Sequence, residues 1–422
     1  MFKKITFPNG LRIITVPLPE SQAVTVLLLV ATGSKYEQKE TSGISHFLEH
    51  IFFKGTQKRP NTLAIAETLD KVGGIYNAFT GEEATGFFAK VDASHFELAL
   101  DWVADIFLNS KLDPKEIERE KGVIIEEINM YYDHPSSYVG ILWNELLYGD
   151  QPAGWNVAGT KASVSQINRQ KLLDYMGSQY VASNTIVCLA GRIPGEQKII
   201  EKIKKYFSSI KSSNFKKKPK VSERQKKPAL LLHHRATDQT HICLGVRAYN
   251  LFHPQRYSQE ILGVILGGMM SSRLFIEVRE KLGLAYYIHA TLFDDTDTGY
   301  LLTQAGLDNN KVDLAISTIL KEYRKISRIK ISPSELKKAK DCVKGKTSLL
   351  LESSDAQASF FAVRELLENK ILTPKEVFKK IDQVAVNDIL KVAKDIFRPE
   401  KLNLALIGPF KAKERFEKIL KI

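Results

Sequence analysis

The sequence predicts an α+β protein of two homologous domains, each a mainly antiparallel sheet covered by helices. At 422 residues the chain is too long for one ordinary hydrophobic core, and its 44% apolar and 26% charged residues are normal for a globular protein. Apolar positions, a helix and a strand ending in glycine recur at a constant offset of 217 residues, as between Gly191 and Gly408. Such self-similarity indicates a duplicated unit.

A basic segment separates the two repeats. Its lysines stand among Ser, Gln and Pro, a composition typical of an exposed linker. We therefore predict an N-terminal domain over residues 1–212, a linker over 213–228 and a C-terminal domain over 229–422.

The first eight residues are basic and resemble a strand more than a targeting segment. They lack an apolar run followed by a small-residue cleavage site. No stretch approaches the roughly 18 to 20 apolar residues needed to span a bilayer. We expect a cytoplasmic protein without a membrane span.

A helix predicted over residues 44–53 carries the most informative motif. His46 and His50 are four residues apart and share one helix face, so both imidazoles can reach one metal ion. Glu49 lies three residues after His46, close enough to act on a water at that metal. This HxxEH arrangement is the zinc-protease motif in reverse order, the inverzincin motif. The alternative is a chance pattern whose histidines cap the helix or face solvent.

A catalytic zinc usually takes three protein ligands and keeps a fourth position open. The third ligand should therefore lie on another helix, and the pattern predicts one over residues 114–128. Glu120 and Glu127 are seven residues apart there, two helical turns, and share a face. The second repeat has Ala339 and Lys346 at the corresponding positions and no HxxEH, so only the first repeat can hold zinc by this motif.

The order of these motifs resembles the pitrilysin family of metallopeptidases. Within it, the chain is most similar to mitochondrial processing peptidase and its homodimeric bacterial relatives. The resemblance is carried by the HxxEH motif, by Phe53-Lys54-Gly55-Thr56, by Gly73-Gly74, by Asn77-Ala78-Phe79-Thr80, and by the Glu-Lys-Gly-Val-Ile-Ile-Glu-Glu run over 120–127. It implies the fold shared by LuxS and mitochondrial processing peptidase, with one Zn²⁺ per chain.

The resemblance also implies roles for individual residues. His46, His50 and Glu127 would be the metal ligands, with Glu126 as the alternative if the register slips by one. Glu120 would orient a ligand histidine from the outer shell. Glu49 would be the general base.

Two further segments match family signatures for substrate contact. Arg279 and Tyr286, seven residues apart, would donate hydrogen bonds where negative charge develops in the substrate. The alternative is a surface salt bridge for Arg279 and a packed strand residue in Tyr286. Residues 77–80 would form an edge strand to which an extended peptide adds through its backbone. A purely structural edge strand is equally compatible with that sequence.

Charge and cysteine content argue against a nucleic-acid-binding protein and a disulfide-stabilised protein. The net charge of +13 comes without a nucleic-acid-binding motif, so we expect a solvated basic surface that biases the protein towards acidic partners. Cys188, Cys243 and Cys342 are far apart and lie in apolar or helical patterns, which favours structural thiols over a disulfide framework.

The sequence therefore predicts a zinc metalloendopeptidase. We expect a homodimer that cuts peptides or unfolded segments inside a closed chamber and binds no nucleic acid. One rival class is a catalytically silent structural or partner subunit on the same fold, and the intact motif argues against it. The other is a basic module that binds nucleic acid or acidic surfaces.

Overall fold

The chain folds into two compact units, each assembled from discontinuous segments. The computed structural model describes residues 2–422. Unit 1 contains the chain up to Asn129 together with Asn156–Pro219 and Ser348–Leu372, and unit 2 contains Met130–Trp155, Lys220–Thr347 and Thr373–Ile422. The chain passes from unit 1 to unit 2 after Pro219, inside the predicted linker. The predicted domains were contiguous, whereas each half of the chain also gives one segment to the other unit.

The sheet of unit 1 has six strands in the order β1-β2-β6-β3-β5-β4, and only β2 and β6 pair in parallel. The strands are β1 (Lys3–Thr6), β2 (Arg12–Pro17), β3 (Ala23–Val30), β4 (Ile75–Thr80), β5 (Thr85–Asp92) and β6 (Thr185–Gly191).

The sheet of unit 2 has five strands in the order β7-β11-β8-β10-β9, and only β7 and β11 pair in parallel. The strands are β7 (Ala229–His234), β8 (Gln239–Arg247), β9 (Ala285–Asp294), β10 (Gly299–Asp308) and β11 (Leu402–Gly408). Both sheets are mainly antiparallel, and both follow the same strand order from β2 and β7 onwards. The predicted fold class is confirmed.

Helices account for most of the remaining structure. They are α1 (Ile44–Ile51), α2 (Thr62–Asp70), α3 (Phe96–Leu108), α4 (Pro114–Asp133), α5 (Pro135–Tyr148), α6 (Lys161–Ser165), α7 (Arg169–Gln179), α8 (Glu196–Phe207), α9 (Arg256–Gly267), α10 (Val312–Arg328), α11 (Pro333–Leu350), α12 (Ser354–Glu368), α13 (Pro374–Gln383), α14 (Val386–Ile396) and α15 (Glu414–Ile419). Among the described residues, no helix is both long enough and apolar enough to cross a membrane.

The core of unit 1 lies on both faces of its sheet. Val26 and Leu28 of β3 point into the main core with α1 and α3, while Leu27 and Leu29 point to the opposite face and pack against α12. A strand that is buried on both sides needs apolar residues at every position, which explains the continuous apolar run of β3. The helix α12 thus forms a second helical layer, on the face of the sheet opposite α1 and α3.

The sheet of unit 2 is covered in a corresponding way by α5, whose Val139, Leu142 and Trp143 pack with residues of β8, β10 and β11. The helix after α4 therefore belongs to unit 2, and α12, the helix after α11, belongs to unit 1. The apolar face of α5 is buried against the unit 2 sheet, and that of α12 is buried against the unit 1 sheet. Cys243 lies in the core under α5, Cys188 lies under α12, and Cys342 is half-buried.

Candidate metal centre

The helix α1 follows a glycine in the left-handed region, and a carboxylate from outside the helix caps its first turn. Gly43 has a φ of 91°, and a Cβ there would lie 2.6 Å from the carbonyl oxygen of Ala158. The buried carboxylate of Glu37 accepts hydrogen bonds from the backbone N–H groups of Gly43 (2.7 Å) and Ser45 (2.9 Å). It thus satisfies donors that a helix N-terminus leaves without partners. Burial raises the pKa of Glu37 to about 7, although these hydrogen bonds lower it.

Because α1 is amphipathic, the two histidines of the motif face away from the core. Phe47, Leu48 and Ile51 are buried against the sheet, so His46 and His50 lie together on the other side. Their rings are 4.5 Å apart between centroids and inclined at 64°. The predicted helix ran to residue 53; α1 ends at Ile51, and residues 52–54 form a turn.

The three predicted ligands come together. Glu127 Oε2 lies 3.6 Å from His46 Nε2 and 3.4 Å from His50 Nε2. Zinc holds such donors at about 2.0–2.1 Å in tetrahedral geometry, which places two donors about 3.3 Å apart. These atoms form the only group of three or more possible His, Cys, Asp or Glu ligands in residues 2–422. The donor set and its spacing fit a zinc ion.

The helix α4 supplies Glu127 in the predicted register. It runs over twenty residues, and Glu120 and Glu127 lie on its face towards α1, whereas Glu126 is exposed. The structure therefore brings Glu127, and not Glu126, to the two histidines.

Glu120 holds one of these histidines. Its side chain is 1% exposed, and its Oε1 accepts a hydrogen bond of 2.8 Å from His50 Nδ1. Because Nδ1 carries that proton, Nε2 is the ring atom left to face Glu127. Burial lowers the pKa of His50, but the hydrogen bonds to Glu120 and Glu127 raise it to about 9. A metal ion must therefore displace a proton from His50.

His46 has the opposite electrostatic environment. Burial and the neighbouring His50 lower the pKa of His46 to about 4, so its imidazole is neutral near pH 7. Its Nδ1 is buried without a hydrogen-bond partner among the described residues. A neutral imidazole with Nε2 directed at the ligand group is the form that binds a metal.

Glu49 lies beside this group without belonging to it. Its Oε2 accepts a 2.6 Å hydrogen bond from the Thr80 hydroxyl at the end of β4. Burial raises the pKa of Glu49, against the lowering effect of Thr80 and His50. Substrate binding by residues 77–80, Thr80 included, stays a prediction; the Thr80 hydroxyl donates to Glu49, a contact that the sequence did not indicate. This contact joins residues 31 positions apart, and no spacing rule indicated it.

The strand β4 lies at the edge of the unit 1 sheet, as predicted for residues 77–80. Asn77 and Phe79 have exposed side chains, and Ala78 is buried. The Ala78 N–H donates to Asn77 Oδ1 at 2.9 Å. The free edge is compatible with both the peptide-binding and the purely structural interpretation.

Arg279 and Tyr286 lie in unit 2. Arg279 is in a π-helix, Phe275–Lys281, with its guanidinium 4.9 Å from the Phe275 ring centre and 3.8 Å from Glu280. Tyr286 is the second residue of β9 and is 77% exposed, so it does not pack in a core. At the positions matching the α4 glutamates, Ala339 is buried and Lys346 donates to the Gly268 carbonyl.

Comparisons with known proteins agree with these observations. A sequence profile described as insulinase (peptidase family M16) matches residues 12–161, and one described as peptidase M16 inactive domain matches residues 166–342. The chain is 35% identical to an uncharacterized zinc protease of Bacillus subtilis, covering 97% of this chain and 98% of that one. It is 33% identical to an uncharacterized zinc protease of Mycobacterium leprae, covering 99% and 94%.

Two solved structures share the fold at lower sequence identity. A protease from Helicobacter pylori superposes with a TM-score of 0.91 at 24% identity, covering 97% of this chain and all of that one. A chain of complex III from Candida albicans superposes with a TM-score of 0.85 at 20% identity, covering both chains fully.

Proposed function

The chain belongs to the insulinase family of peptidases, family M16, and we propose that it is a zinc-dependent endopeptidase whose metal ligands are His46, His50 and Glu127. Membership confirms the family expected from the sequence motifs, and the names of the two relatives, both zinc proteases, support zinc as the metal. The observation that carries the assignment of ligands is the spacing of 3.4–3.6 Å between Glu127 Oε2 and the two Nε2 atoms.

The zinc ion, when bound, supplies a Lewis acid for peptide-bond hydrolysis. Glu49 acts as the general base: it removes a proton from the attacking water and delivers it to the leaving amide nitrogen. Thr80 occupies Oε2 of Glu49, which leaves Oε1 for the proton. The raised pKa of the Glu49 carboxyl suits this role, because a stronger base accepts a proton more readily near neutral pH.

Substrate binding would use main-chain pairing more than side-chain recognition. An extended peptide would add to β4 along residues 77–80, since the outer edge of that strand is unpaired in its sheet. Arg279 and Tyr286 would donate hydrogen bonds to the oxyanion that forms during hydrolysis, and the exposed tyrosine supports that assignment. Backbone recognition favours short peptides and unfolded segments of varied sequence.

The decisive experiment separates metal binding from turnover. His50→Ala and Glu127→Gln should lose zinc, measured by elemental analysis of purified protein. Glu49→Gln should keep one zinc per chain and lose cleavage of a quenched fluorescent peptide, because Glu49 moves protons and is not a ligand. Glu126→Gln is the matched control: it alters the exposed neighbour of Glu127 and should retain both zinc and activity.

Equal loss of zinc in Glu49→Gln and His50→Ala would contradict the division of roles. Wild-type protein that binds zinc but cleaves no peptide would favour the catalytically silent subunit. Binding to a polyanion that disappears at modest salt, without zinc or peptidase activity, would favour the basic binding module.

A further inference from the structure

Lys54 lies in the turn that follows α1, and its ammonium group contacts Glu120, the residue that holds His50. Its Nζ lies 2.7 Å from Oε2 of Glu120, and its side chain is 23% exposed. Among the described residues, Glu120 is the only carboxylate in ion-pair contact with Lys54. The other oxygen of Glu120 accepts from His50 Nδ1. The three side chains therefore form a chain from Lys54 through Glu120 to His50.

The position of Glu120 requires such a partner. A carboxylate that is 1% exposed has lost nearly all its hydration, and His50 engages only one of its two oxygens. Leaving a buried charge without a partner is strongly unfavourable, and the side chain would then move towards water. That movement would weaken its hold on Nδ1 of His50.

We propose that Lys54 is a positioning residue for the metal centre, which fixes Glu120 and thereby holds His50 Nε2 in the direction of Glu127. This inference rests on the proposed function, since it assumes that His50 is a metal ligand. Lys54 itself contacts no member of the ligand group through an ion pair. Its effect must therefore pass through Glu120.

Zinc affinity tests this role without reference to peptidase activity. The zinc dissociation constant of each full-length variant would be measured by competition with a chromophoric chelator. Lys54→Met removes the charge and keeps the length of the side chain, and it should weaken zinc binding roughly tenfold or more, as loss of an outer-shell partner does elsewhere. Lys54→Arg should restore most of the affinity. Lys71→Met, which removes a 70% exposed lysine of unit 1, should bind zinc like the wild type.

A double mutant tests whether Lys54 acts on His50 through Glu120. In a Glu120→Gln background no buried charge remains for Lys54 to neutralise, so adding Lys54→Met should cause little further loss. The visible absorption of bound Co²⁺ should change in both single variants, since it reports the ligand geometry. If Lys54→Met fails to fold, Lys54→Gln, which keeps a donor and lacks the charge, serves the same comparison.

Wild-type affinity in Lys54→Met, with or without a lower urea midpoint, would leave Lys54 a merely structural role and overturn the inference. An equal loss in the wild-type and Glu120→Gln backgrounds would also overturn it. In both cases the zinc site itself would stand. Wild-type protein that binds no zinc would overturn the proposed function and this inference with it.

Discussion

Three buried or half-buried carboxylates lie on α1 and α4. Each contacts a different kind of group, and these contacts suggest a different role for each carboxylate. Glu127 faces two imidazole Nε2 atoms, Glu120 joins an imidazole Nδ1 to a lysine, and Glu49 meets a hydroxyl. Only the first arrangement presents a carboxylate oxygen within a group of metal donors. We therefore propose that identical chemical groups serve as ligand, positioning residue and base according to what each one contacts.

The hydrogen bond from the Thr80 hydroxyl to Glu49 leads to a prediction for Thr80. Thr80→Val keeps the shape of the side chain and removes the 2.6 Å hydrogen bond to Glu49. A hydrogen bond to a charged group contributes about 1.5–3 kcal/mol, so kcat should fall roughly 10- to 100-fold if the bond holds Glu49 in its productive orientation. Zinc content should not change, and Thr80→Ser should recover most of the activity. Equal kcat in Thr80→Val and wild type would show that Glu49 needs no such support.

Sequence spacing could indicate the proposed ligands, but it could not indicate the side chains that position them. The i, i+4 rule places His46 and His50 on one face, and the seven-residue interval orients Glu120 and Glu127, because both relations lie within single helices. Lys54 lies beyond the end of α1, so its reach to Glu120 depends on the turn that follows. Thr80 and Glu37 approach α1 from other elements.

At the scale of elements, α1 depends on a carboxylate outside the helix. Glu37 accepts from two backbone N–H groups at the start of α1, and its burial raises its pKa to about 7. Unfolded glutamate titrates near about 4.3. Between these values the folded state holds a proton that the unfolded state has released, so the free energy of unfolding falls as pH rises and levels off above pH 7.

Glu37→Gln isolates this contribution. With zinc removed by chelator from both proteins, the stability of the wild type relative to the variant should fall by up to about 3 kcal/mol between pH 4.5 and pH 7. The variant also loses one of the two cap acceptors, which adds an offset that does not depend on pH. Urea unfolding at several pH values gives the difference. A pH-independent difference, or one that increases with pH, would show that Glu37 is ionised throughout.

The positions of α5 and α12 show which part of the fold could not be predicted from the sequence, namely the sheet that each helix covers. The repeat predicted a duplicated unit, and both sheets have the same strand order from β2 and β7 onwards. No element predicted from the sequence covered α5 or α12. Both helices are apolar enough to cover a sheet, but nothing in a local pattern states which of two similar sheets each one covers. That choice follows from long-range packing, as with Phe361 against Leu27 and Leu29.

At the scale of the whole molecule, the described part of the second repeat contains no group of three candidate metal ligands, but it contains Arg279, which is half-buried, and Tyr286, which is exposed. Tyr286→Phe and Arg279→Ala should lower kcat/KM by roughly 10²-fold or more, the effect of removing one oxyanion donor. Zinc content should remain at the wild-type level, because neither residue is a proposed ligand. Near-native activity in both variants would leave unit 2 as a scaffold without a part in hydrolysis.

The proposed quaternary structure rests on what one chain contains. The pitrilysin resemblance implies a chamber closed by four homologous domains, and this chain has two. It carries both the HxxEH motif and the Arg279/Tyr286 pair, so it needs no different subunit to supply either. A homodimer with two-fold symmetry is the simplest assembly that provides four domains, because one surface patch serves both partners.

Analytical ultracentrifugation should therefore give about twice the chain mass of 47.6 kDa. A closed chamber would also admit peptides and unfolded segments and exclude stable folded proteins, so a quenched peptide should be cut far faster than a folded protein that contains the same sequence in a rigid loop. Unfolding that protein before the assay should restore cleavage, which separates exclusion by size from sequence preference. A monomer with full activity at micromolar concentration would refute the chamber, whereas the zinc chemistry of unit 1 would be unaffected.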